Sequence, residues 1–141
     1  MPDVFTLTIS TERAFTAEEI GYLLVGEFEG NPMASWINKA TPVTPEGVGR
    51  TPGHDGPWYD DEGFLTFTGF AFTINYDDPD EDSEGDFTGM RTINMNQIKD
   101  GLRIMAEDYP DHFADLVGDN ADAITYDVAM QCIVLGSVIY G

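Results

Sequence analysis

Residues Thr41 to Gly63, TPVTPEGVGRTPGHDGPWYDDEG, hold four prolines and five glycines in 23 positions. A helix or strand of ordinary length does not cross such a run, because each proline removes an amide donor and each glycine raises the entropy lost on ordering. The chain is expected to carry a long loop at 41–63, with its fold assembled from the elements on either side. Loops of this length inside a small domain are usually functional or disordered. With 141 residues, a single domain over 1–141 is expected, large enough to bury roughly two-thirds of the surface its unfolded chain would expose.

Before the loop, Val4 to Ile9 alternates Phe5, Leu7 and Ile9 with Thr6 and Thr8, the pattern of a half-buried strand. Thr16 and Glu19 have the spacing of a capping box that opens a helix. Ile20, Leu23, Leu24 and Phe28 form its apolar stripe, Gly30 its left-handed stop, and Glu18, Glu19, Glu27 and Glu29 are expected outside or beside the stripe. Trp36 is expected in the core.

After the loop, Phe64 to Tyr76 is predicted as one strand whose apolar set changes parity at Gly69, where a bulge would aim both sets at one core. Phe87 to Ile93 is its hairpin partner, with an acidic tip at 77–86. Asn94 and Gln97 cap a helix carrying Ile98, Leu102 and Met105. Pro110 opens a short helix that Gly118 ends. Thr125 is expected to cap a helix, Val128 to Leu135, apolar enough to be buried on most sides. The sum is an α+β fold: a small antiparallel sheet, made of the N-terminal strand and the central hairpin, packed with about four helices.

Charge limits what such a fold can do. The chain has 26 Asp and Glu against six Lys and Arg, a formal net charge of −20, and residues 51–100 alone hold twelve of the acids. A field of that sign repels DNA, RNA and anionic membranes and favours cationic partners. The 17 aromatic residues and 42% hydrophobic content nevertheless argue for a packed core. The lone Cys132, within VAMQCIVLG, is read as a buried, inert thiol, and no apolar run is long enough to span a bilayer. A cytoplasmic setting is expected.

Seven carboxylates lie between Asp77 and Asp86. A calcium loop begun at Asp80 finds ligands at Asp82 and Glu84 and the required Gly85, but its twelfth position is Arg91; one begun at Asp78 puts Ser83 where glycine is needed. Neither frame completes the cage. The same acids can instead serve as a partner-binding surface that imitates a polyanion. The contacting set is then Asp60, Asp61, Glu62, Asp77, Asp78, Asp80, Glu81, Asp82, Glu84 and Asp86.

An alternative ligand site lies in the loop segment 47–59. Its glycines expose amides, Arg50 and His54 add donors, and Trp58 and Tyr59 could stack a base. The spacing matches neither the dinucleotide fingerprint nor a Walker loop. With two histidines 58 positions apart and one cysteine there is no zinc pattern, and no G-x-S-x-G occurs. No cofactor, no metal and no enzymatic activity are expected. A third reading takes the two lysines against 16 aspartates as adaptation to high salt. The oligomeric state is left open, a homo-oligomer included.

In the C-terminal half, Tyr109, Pro110, His112, Phe113, Ala114 and Asp115 are followed by Asp127 and Gln131, and then by Tyr140 and Gly141. With EEIGYLLVGEFEG and WYDD earlier in the chain, this pattern resembles small acidic proteins of bacteriophages and prophages. The resemblance covers about two-thirds of the chain and implies a phage origin and a host-cell setting. It transfers no catalytic residue. In that setting a basic host protein that handles nucleic acid, such as a CRISPR or restriction complex, is the implied partner.

Overall fold

The helix opened by Thr16 shows how closely local chemistry fixes this chain. The computed structural model describes residues 4–5, 12–45, 47–77 and 88–140. Helix α1, Ala17–Phe28, begins with the Thr16 hydroxyl accepting from the Glu19 amide while the Glu19 carboxylate accepts from the Thr16 amide. Ile20, Leu23 and Leu24 are buried and Phe28 half-buried, and Gly30 takes φ +77° just beyond the helix end. One expectation fails here. Glu27 does not flank the stripe but lies within it, 1% exposed.

The sheet has three antiparallel strands in the order β1 (Ile37–Pro42), β2 (Ala71–Asp77) and β3 (Thr88–Asn94). The N-terminal strand expected at Val4 to Ile9 lies mostly outside the described residues, of which Val4 and Phe5 are exposed and not in a strand, and the third strand of the sheet is β1. INKATP lacks the apolar alternation that marks a strand, and Pro42 is tolerated because β1 is an edge. Phe72, Ile74 and Tyr76 face inward from β2, opposite Ile93, Arg91 and Gly89 of β3.

The segment before β2 is not strand, as the apolar run had suggested. Asp61 caps a single helical turn, α2 (Glu62–Leu65), and a turn through Gly69 then leads to Phe70. This turn does what the bulge was expected to do. Phe64, Leu65, Phe70 and Phe72 all reach the core despite their change of parity. The Pro/Gly segment is also more structured than its composition suggests, since β1 includes Thr41 and Pro42 and a 3-10 turn spans Trp58–Asp60.

Three helices complete the α+β fold: α3 (Met95–Asp108), α4 (Pro110–Val117) and α5 (Ala123–Leu135). Asn94 and Gln97 form a second capping box at α3. The cap of α5 is Asp122, whose carboxylate accepts from the Thr125 amide, so Thr125 stands inside the helix it was expected to open. Val128 to Val134 is buried on all sides, and burial pushes the Cys132 thiol up to about 11. The buried side chains form one cluster.

Helix α3 meets α5 at Gly101, where an added Cβ would stand 2.3 Å from Ile133 Cα and 2.6 Å from its nitrogen. Backbone cannot yield as a side chain can. Gly101→Ala is expected to lower stability by about 1–3 kcal/mol, read as a lower urea midpoint with an unchanged slope.

Candidate functional site

Two sites built on buried carboxyl groups, Asp61 by itself and Glu27 beside Asp127, organise the interior of this molecule. The first is Asp61, expected on the surface among the partner-binding acids but only 1% exposed. Its Oδ2 accepts from Arg50 Nε at 2.9 Å and the Thr51 amide at 2.8 Å. Its Oδ1 accepts from the Thr51 hydroxyl at 2.6 Å and the Phe64 amide at 3.3 Å. Burial by itself would raise its pKa, but these donors together outweigh that and hold the carboxyl well below the usual range.

Around Asp61 the expected ligand loop closes on itself. Arg50 also donates to the Gly56 carbonyl at 2.9 Å, and His54 Nε2 lies 2.6 Å from Asp60 Oδ1. Trp58 is 8% exposed and packs on Phe72 with ring centroids 4.9 Å apart, so its face is not open to a base. Tyr59 is half-buried against Phe28. Burial, with Glu29 beside its hydroxyl, pushes Tyr59 up to about 12. The four residues of the ligand reading are thus brought near one another, and each is already engaged.

Of the expected partner-binding acids, Asp60, Glu62 and Asp77 are exposed. Asp60 and Glu62 lie together beside α1, whereas Asp77 is at the far end of β2, six residue rises or about 20 Å from the start of that strand. Asp78, Asp80, Glu81, Asp82, Glu84 and Asp86 lie outside the described residues. A second acidic stretch, not among the expected partner-binding residues, spans the α3–α4 corner. Glu107 and Asp108 at the end of α3, Asp111 and Asp115 one turn apart on α4, and Asp119 beyond it are all exposed. Their signal was the acidic half of an amphipathic pattern whose apolar half is Phe113, Leu116 and Val117.

The second site is built on Glu27, which lies against Asp127 of α5. Asp127 accepts from Trp36 Nε1 at 2.8 Å and from Gln131 Nε2 at 2.7 Å. Glu27 Oε1 accepts from Asn31 Nδ2 at 3.0 Å, while its Oε2 is buried and has no donor near it. A proton on Oε2, donated to Asp127, resolves the conflict. Burial, with the Asp127 carboxylate adding to it, pushes Glu27 up to about 10. Gln131 extends the network, its Oε1 accepting from the amides of Ile139 and Tyr140. Tyr140 stacks on Trp36 at 5.7 Å and its hydroxyl donates to the Asp77 carbonyl.

Comparison with protein-family models, curated proteins and solved structures gives no match. Chemistry then rests on geometry. Glu27 and Asp127 are sealed beneath side chains and serve to join α1, α5 and the C-terminal segment. Among the described residues, no three His, Cys, Asp or Glu side chains are placed to hold a metal ion, and no helix is long and apolar enough to cross a membrane.

Proposed function

We propose that this chain is an acidic binding protein that acts without catalysis, docking its carboxylates into the basic groove of a protein that handles nucleic acid. The observation that supports the reading most directly is the exposure of acids on separate elements, Asp60 and Glu62 before β2, Asp77 at its far end, and Asp111 and Asp115 on α4, against six cations in the whole chain. Carboxylates fixed on helices and strands keep their spacing without the ordering cost that flexible ones bear. A basic groove built for DNA would then gain the counterion release that DNA normally supplies. The resemblance to phage proteins suggests a host defence complex as the target and the host cytoplasm as the place.

Affinity capture from bacterial lysate at low salt, with elution by a salt step and identification by mass spectrometry, tests this. Enrichment of one nucleic-acid-binding complex that salt releases is expected. Reversing Asp77, Asp78, Asp80 and Asp82 to Lys should then slow association about tenfold and flatten its salt dependence. An unchanged on-rate would remove these acids from the interface, and no salt-released partner would remove the reading. The alternative reading, a ligand site at 47–59 that would sequester a nucleotide, gains no support from the loop, whose Arg50 and Trp58 are already engaged.

A further inference from the structure

Three of the six basic residues of this chain stand around one apolar groove. It lies between the start of α1 and the faces of α3 and α4, with a volume of about 610 Å³. Its walls are Phe15, Ile20, Ile98, Leu102 and Phe113, with Phe15 and Phe113 meeting edge to face at 6.3 Å. Arg13, Lys99 and Arg103 line it as well. Lys99 and Arg103 are four apart on α3 and so share one face of the helix.

The cations are accessible to a ligand. Arg13 pairs with Glu19 at 2.6 Å and Arg103 with Asp100 at 3.3 Å, but both pairs are solvent-exposed and are worth little to the fold. Lys99 has no ion pair among the described residues. In a chain of net charge −20, this grouping runs against the general field. Apolar walls with a few convergent polar groups, in a volume within the usual 300–1,000 Å³ or so, are the ordinary make-up of a small-molecule site.

We propose that this groove binds a small amphipathic anion, specifically a single-chain aliphatic carboxylate, with its chain between Phe15, Leu102 and Phe113 and its head group held by Lys99 and Arg103 beside Arg13. The charge of the rim selects the head, and the apolar walls select the tail. Because the overall field opposes any anion, affinity has to come from burial of the chain, and each pair of added methylenes raises it about tenfold until the groove is full. The proposal is independent of the acidic-surface reading, since it uses the basic side chains and the apolar walls and none of the carboxylates.

Isothermal titration with octanoate, decanoate and decanol, all below their aggregation limits, tests it. Decanoate is expected to bind about tenfold more tightly than octanoate and at least tenfold more tightly than decanol. Lys99→Glu combined with Arg103→Glu, at exposed positions that leave the core intact, should weaken decanoate at least tenfold and leave decanol unchanged. Ala106→Trp, which fills the groove from α3, should weaken both. Absence of decanoate binding at millimolar concentration, equal binding of decanol, or full binding by the doubly reversed variant would each overturn the assignment.

Discussion

Glu27→Gln is expected to stabilise this protein at neutral and alkaline pH while leaving it no more stable near pH 4. In the fold the Glu27 carboxyl stays protonated up to about 10, whereas in the unfolded chain it ionises near 4.5. The native state therefore holds a proton that the unfolded state releases throughout that range. Stability from this group is fully present below about pH 4.5 and is lost progressively as pH rises toward 10. At pH 7 the loss is on the order of 3 kcal/mol.

Glutamine has the same shape, can donate from Nε2 to Asp127 as the acid does, and leaves Oε1 to accept from Asn31, yet carries no proton to lose. A gain of about 5 kcal/mol at pH 8, shrinking to nothing by pH 4, is the expected difference between the two urea-unfolding curves. The net charge also favours the native state at low pH, so only the difference between variant and parent isolates Glu27. A difference that is flat with pH would mean that the carboxyl ionises freely in the fold.

How much of this was legible in the sequence depends on which signal is consulted. Thr16 with Glu19 and Asn94 with Gln97 located both capping boxes, and Gly30 the end of α1, because caps depend on near neighbours alone. Glu27 shows the opposite case. It is seven residues after Ile20, on the buried face by period, and residue type argued it outward. Period was the better guide, and the compensating partner, Asp127, lies 100 positions away where no local pattern reaches.

Asp127 and Gln131 did carry a readable sign, as two polar side chains one turn apart in a helix otherwise apolar on every side. Such residues are either satisfied by a distant element or strongly destabilising. Strand β1 and the turn before β2 were missed for a different reason. Their conformations come from pairing with β2 and from the Asp61 cap, both of which override weak local preference. The surface acids could be counted from the sequence, but which of the 26 would turn inward could not, because Asp61 sits among Asp60 and Glu62 with nothing local to distinguish it.

Asp61 is also where the largest loss is expected. Asp61→Ala removes the cap of α2, leaves the Thr51 amide and hydroxyl without their acceptor and strands the Arg50 guanidinium beside a cavity, and it should cost about 3–5 kcal/mol at neutral pH. Asp61→Asn keeps the volume but sets an amide donor against Thr51 or Arg50, for a loss of about 1–3 kcal/mol. The acid limb separates charge from packing. Because the folded carboxyl is held below its ordinary value, its contribution is present above about pH 4 and fades as pH falls through the lower folded value. The Asn variant should lack that part of the acid transition, and Trp58, packed directly against the α2 segment through Phe64, should report the loosening by its fluorescence. If Asp61→Ala unfolds at the parent's denaturant midpoint, the Arg50–Asp61 clasp is not what holds the Pro/Gly segment to the core, and Arg50 would again be free for a ligand.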